Sequence, residues 1–161
     1  MALVLALLLG GMALTAMMPA EGARPPRSAP GPAEIQQIIR DAAERYGIDA
    51  VILRRLIKQE SWFDPLATNG DCKGLGQVNI SKWAMRDWAD PYENANKSAE
   101  IMRFLVDRYH GNYPLALAAY NWGHVNVDRL LVERGGEWMW YLPWEPWYMI
   151  KQVWAGGVGD D

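Results

Sequence analysis

The stretch Asp49–Pro65, DAVILRRLIKQESWFDP, decides the fold. Ile52, Leu53, Leu56 and Ile57 recur at the spacing of one helix face. Asp49 stands directly before them, where its carboxylate can accept from the free N–H groups of the first turn. Asp64-Pro65 closes the segment, because the residue before a proline is pushed out of the helical region. The apolar face then meets an oddity. Glu60 lies four residues after Leu56 and three after Ile57, so it shares their face. It also falls in the last turn, where the helix dipole disfavours negative charge. Burial and dipole both favour the protonated carboxyl. A carboxyl that keeps its proton near neutral pH suits a general acid at a glycosidic bond. The plain alternative is a solvated glutamate at a frayed helix end.

Helices continue on both sides of this stretch. Ile35, Ile38, Ile39, Ala42, Ala43 and Tyr46 fall on one face, and Gly47 suits the position just past that helix. Residues 66–79, with Gly70, Gly74 and Gly76, read as loop. Ser81 reads as the cap of a short helix through Trp88. Ala99, Met102, Leu105, Val106 and Tyr109 mark a longer helix that stops at Gly111. Pro114 fits the first position of a helix holding Leu115, Ala118 and Ala119. Two more helices are expected over 125–133, ended by Gly135-Gly136, and over 145–154. No alternating strand run and no internal repeat is visible. The expected fold is all-α, a single domain of about seven short helices.

Composition agrees with one globular domain. The chain has 161 residues, half of them apolar and 22% charged, which excludes a disordered chain. A net charge of -3 carries no basic footprint, so no nucleic-acid partner is expected. Cys72 is the single cysteine and cannot form an internal disulfide. As a nucleophile it would need His110 or His124 to activate it. Neither histidine lies in a metal-ligand pattern, so neither a metal nor another cofactor is expected. Nine tryptophans are unusual, and Trp138, Trp140, Trp144 and Trp147 crowd into ten residues. They either plug a core poor in Phe or stack flat sugar faces in a groove.

The ends read differently. Residues 1–18 are apolar except for Thr15, as in a secretory signal core or a membrane anchor. Residues 1–20 are assigned to that segment, which implies N-terminal contact with a membrane. Residues 21–33, EGARPPRSAPGPA, are a Pro/Gly/Ala-rich linker. The domain proper is expected over 34–155, and 156–161 as a flexible tail. The folded part should then face the outside of the membrane, periplasmic or secreted.

Further motifs accompany Glu60. Ser61 follows it directly, and Gly74-Leu75-Gly76-Gln77 lies fourteen residues on. Glycines there allow close backbone approach to a ligand, and Gln77 can orient an amide or hydroxyl. Later, Ala119-Tyr120-Asn121-Trp122-Gly123 puts a phenol and an amide at a helix end. Pro143, Glu145 and Tyr148 open the last helix. Asp90-Pro91 with Asn94 precedes the long helix.

Taken in order, these residues resemble the soluble lytic transglycosylase domain, whose fold is that of goose-type lysozyme. That family carries a Glu-Ser pair, a Gly-Leu-Met-Gln segment, Ala-Tyr-Asn-Ala-Gly, and a C-terminal Pro…Glu…Tyr helix. The likeness spans roughly residues 34–154. It implies a lysozyme-like domain with a substrate groove, Glu60 as catalytic residue, and Ser61, Gly74, Leu75, Gln77, Tyr120, Asn121 and Tyr148 as substrate-binding residues. Gly76 stands where the family has Met, removing a side chain from the groove floor. Trp122 stands where the family has a small residue, and would wall one subsite.

The resemblance also implies a reaction on peptidoglycan glycan strands. The bond cut is the β-1,4 bond between N-acetylmuramic acid and N-acetylglucosamine, and the product is a 1,6-anhydromuramoyl end. One enzymic carboxylate suffices for that. A lysozyme-like hydrolase needs a second acid, for which Asp71 is the better candidate and Asp64 reads as a turn residue. A non-catalytic peptidoglycan-binding module, serving an envelope assembly or a phage particle, is the alternative of a different class.

Overall fold

The computed structural model describes residues 30–156. The apolar start, most of the 21–33 linker and the tail after residue 156 lie outside the described residues. Among the described residues no helix is long and apolar enough to cross a membrane. In chain order the elements are α1 (Pro32–Tyr46), α2 (Ala50–Ser61), β1 (Thr68–Asn69), β2 (Cys72–Lys73), β3 (Val78–Asn79), α3 (Pro91–Arg108), α4 (Tyr113–Trp122), α5 (His124–Arg134), a 3₁₀ helix (Gly135–Tyr141) and α6 (Trp144–Val153).

The end signals read at Gly47 and Asp49 act as expected. Asp49 accepts from the N–H groups of Val51 and Ile52 at 2.8 and 3.1 Å, capping α2. Gly47 closes α1 in the left-handed conformation, with φ 62°. Asp90 and Asn112 cap α3 and α4 through their side chains, each ahead of a proline in the first turn. Helix α1 begins at Pro32, two residues inside the stretch read as linker.

Helix α4 is the centre of the fold. Leu115, Ala116, Leu117, Ala118 and Ala119 are all buried, so the helix is apolar on every side. Helices α3, α5 and α6 pack around it, and α1 packs on α2 and α3. Leu53, Leu56 and Ile57 of α2, Met102 and Leu105 of α3, Val127 of α5 and Val153 of α6 fill the remaining core. Burial of each such side chain contributes about 1.5–3 kcal/mol.

The all-α reading holds for the bulk of the domain, with two corrections. Residues 66–79 are not plain loop. They form a three-stranded antiparallel sheet in the order β1-β2-β3, with Asn69 opposite Cys72 and Lys73 opposite Val78. Two-residue strands are too short to show an apolar alternation, which is why the pattern hid them. The first hairpin turns at Gly70, with φ 57°. The second correction concerns residues 81–88, which form no helix. The Ser81 N–H donates to Asn79 Oδ1 at 3.1 Å and its hydroxyl donates to Asp71 at 2.7 Å, so Ser81 caps nothing. The 3₁₀ helix after Gly135 keeps the number of helical elements at seven among the described residues.

The tryptophan cluster divides. Trp138 is buried in the core, whereas Trp140 and Trp144 are 89% and 63% exposed. The core-plug reading therefore holds for Trp138 alone. Trp144 stacks on Trp147 with ring centroids 5.3 Å apart.

Candidate active site

Helix α2 carries Leu53, Leu56 and Ile57 into the core, and Glu60 continues that face one turn further. The chain then reverses. Trp62 and Phe63 both adopt positive φ, 54° and 66°, and the Trp62 N–H closes the helix on Lys58 O at 2.9 Å. Two successive left-handed residues are costly outside glycine and need support from their surroundings. Their effect is to end the helix just beyond Glu60, whose carboxyl lines a groove. Burial pushes this carboxyl up to about 8. At neutral pH Glu60 therefore holds its proton.

A clamp fixes the 74–77 segment beside Glu60's helix end. Ser61 donates its hydroxyl to Leu75 O at 2.7 Å, tying the helix end to the 74–77 segment. Buried Asn94 accepts the Gly76 N–H at 2.9 Å and donates to Lys73 O and Trp88 O at 2.9 and 3.0 Å. Tyr120 donates to Gly76 O at 2.8 Å. Both glycines are forced by space. A Cβ on Gly74 would lie 2.2 Å from Asn94 Nδ2, and one on Gly76 would lie 1.9 Å from Ser98 Oγ. Gly76 thus faces the protein interior. Its lack of a side chain makes room for Ser98 and Tyr120, which corrects the reading that it clears the groove floor.

The groove has a volume of about 850 Å³. Glu60, the sheet residues Asn69, Cys72 and Asn79, Gln77 between β2 and β3, and the α4–α5 junction from Ala119 to Asn126 line it. Of the residues singled out from sequence, Glu60, Gln77, Tyr120 and Asn121 meet there, and Trp122 walls it as expected. Both N–H donors of the Gln77 amide are spent on Ala67 O and Gly74 O, so its carbonyl oxygen is what it offers a ligand. Burial, then the charge of Glu60, holds the Tyr120 phenol far above its ordinary range, which keeps it neutral.

Other expected site residues lie elsewhere. Leu75 is a fully buried core side chain, Gly74 is buried, and Ser61 is spent on the clamp. None of the three lines the groove; they support it from behind. Tyr148 packs its ring on Trp144, 5.2 Å between centroids, also outside the groove. Trp138, Trp140, Trp144 and Trp147 are outside it too. Asp64 accepts from Leu66 N–H at 2.8 Å, as a turn residue does. Asp71 is exposed, bonded to Ser81, and absent from the lining. Glu60 is thus the only carboxylate lining the groove among the described residues. Cys72 lines it as well, but burial and then the charge of Glu60 raise its thiol, and a protonated thiol is a poor nucleophile.

Sequence reading missed Lys82, Trp83 and His124 in the groove and Ser98 behind it. Ser98 had a signal. Asn94, Ser98, Ile101 and Leu105 recur at helical spacing, which puts two polar residues on the buried face of α3. Lys82 had none.

The chain matches the Transglycosylase SLT domain over residues 37–140. It belongs to that family. That match supports a transglycosylase-type function. Among solved structures it is similar to the lytic transglycosylase Slt from Pseudomonas aeruginosa, determined as an inactive glutamate-to-glutamine mutant. The TM-score is 0.65 at 21% identity, covering 76% of this chain and 23% of that one. This likeness is one of fold, and the fold is lysozyme-like. The SLT match begins inside α1 and ends within the 3₁₀ helix, so it contains the whole groove.

Proposed function

We propose that this SLT domain cleaves the β-1,4 bond between N-acetylmuramic acid and N-acetylglucosamine in peptidoglycan and releases a 1,6-anhydromuramoyl end. The carrying observation is Glu60: one carboxyl, kept protonated by burial, alone among acids in a groove lined with amides. Gln77, Asn69, Asn79, Asn121 and Asn126 supply those amides, which suit N-acetyl groups and hydroxyls.

Glu60 donates its proton to the bridging oxygen as the bond to the anomeric carbon breaks. The N-acetyl group of the muramoyl sugar assists at that carbon. The Glu60 carboxylate then takes the proton of the C6 hydroxyl, whose oxygen closes on the anomeric carbon. The carboxyl ends as it began, and no water is consumed. Inverting and retaining glycosidases instead need a second carboxylate at roughly 5–9.5 Å. The position of Asp71 outside the groove removes support from a hydrolase. The Pseudomonas aeruginosa protein of the same fold is inactive as a glutamate-to-glutamine mutant. Acting on such a substrate calls for a folded domain outside the cytoplasmic membrane.

The test is mass spectrometry of fragments released from purified peptidoglycan by the chain and by Glu60→Gln. Products one water lighter than hydrolysed muropeptides, absent with the variant, are expected. Hydrated reducing ends would make it a muramidase. Binding without released fragments would leave a non-catalytic module.

A further inference from the structure

Lys82 lines the same groove and is exposed to it. Each other lysine of the described residues has a partner. Lys97 pairs with Glu100 at 2.7 Å, and Lys58, Lys73 and Lys151 lie over the rings of Trp62, Trp88 and Trp147 at 5.5, 5.7 and 5.5 Å. Lys82 has neither an ion pair nor a ring among the described residues.

Its backbone is nonetheless held in place. The N–H groups of Lys82 and Trp83 both donate to Asn79 O, at 3.1 and 2.9 Å. The Trp83 ring meets Phe104 edge-on at 6.1 Å, and Phe104 meets His124 at 5.8 Å, which braces this wall against the start of α5. An ammonium on a fixed turn, facing a groove whose single acid is protonated at neutral pH, gives that groove a positive character.

The glycan backbone carries no charge to meet it. In peptidoglycan the carboxylates belong to the peptide stem that hangs from the lactyl group of each muramoyl sugar. We propose that Lys82 is a specificity residue that binds a carboxylate of this stem and so favours strands whose stems are charged. The proposal rests on the glycan-cleaving reading above. Lys82 acts on substrate binding and not on the acid, since burial alone sets the Glu60 carboxyl.

The experiment compares soluble peptidoglycan strands with the same strands after carbodiimide coupling to ammonia, which turns stem carboxylates into amides of nearly equal shape. Steady-state kinetics are run with the full chain and with Lys82→Ala, Lys82→Arg and Lys82→Glu. The wild-type chain is expected to show a KM about fivefold lower for charged strands, as for one partly exposed ion pair, and the difference should shrink with added salt. Lys82→Ala should erase the preference at unchanged kcat and an unchanged pH profile. Lys82→Arg should keep it, and Lys82→Glu should invert it. Equal KM for both strands in the wild type, or a preference that survives Lys82→Ala, overturns the proposal. Cleavage of neither strand would instead defeat the glycan-cleaving reading itself.

Discussion

Asn94 accepts the Gly76 N–H at 2.9 Å, so one side chain of α3 holds the segment to which Ser61, next to Glu60, is also tied. The same amide donates to Lys73 O and Trp88 O, so three backbone groups from three segments meet on it. Asn94→Leu leaves all of them without their partner. Each unpaired buried polar group costs about 1–3 kcal/mol. The variant is expected to lose about 3 kcal/mol or more of stability, read from urea unfolding. A loss below about 1 kcal/mol would mean that water replaces the amide and that Asn94 is not the clamp.

Gly76→Ala tests the opposite face of that clamp. The new Cβ would meet Ser98 Oγ at 1.9 Å, Ser98 Cβ at 2.8 Å and the Tyr120 hydroxyl at 2.9 Å. Overpacking of this kind costs about 1–3 kcal/mol. Ser98→Gly removes two of the three clashing atoms, so the double variant should recover part of the loss in a double-mutant cycle. Strict additivity would show that Gly76 and Ser98 do not press on each other.

Much of this was legible in sequence, and the reasons differ by residue. Glu60 was readable because a charge on an apolar helix face is a contradiction that two spacings expose. The Asp49 cap was a local event, with donor and acceptor within three residues, whereas the caps at Asp90 and Asn112 were not read. The small sheet was hidden, since its strands are two residues long and their partners supply no apolar repeat. Ser61, Gly74 and Leu75 lie beside the groove without lining it. A motif marks which residues lie close to a site, but only packing shows that Leu75 points into the core and Ser61 back onto it. Lys82 depends on a turn whose anchor, Asn79, lies on a strand that the pattern did not reveal.

Tyr120→Phe should separate support from chemistry. The change removes the bond to Gly76 O and leaves that carbonyl unpaired, at a cost of about 1–2 kcal/mol. The phenol is neutral throughout the working range, so its loss removes no charge from beside Glu60. The alkaline limb of the pH–rate profile should stay near 8, where burial sets it. A limb displaced by a full unit would show that the phenol itself tunes the acid.

The protonated state of Glu60 also leaves a signature in stability, independent of any substrate. Its carboxyl titrates near 4.5 when free and at about 8 in the fold. Below 4.5 both states hold the proton and pH has no effect through this group. Between the two values the unfolded chain releases a proton that the folded chain keeps, so unfolding becomes easier as pH rises. Above about 8 both are ionised and the penalty stays constant. Glutamine is nearly the shape of the neutral acid and has no such penalty. Glu60→Gln should therefore match the wild type in Tm at pH 4 and exceed it increasingly toward pH 8. The gap should be on the order of a few kcal/mol at most, because the open groove lets water reach the carboxyl. At the same time the variant should lose glycan cleavage at every pH. Parallel Tm curves across that range would mean that Glu60 is ionised at neutral pH, and an ionised Glu60 cannot be the acid.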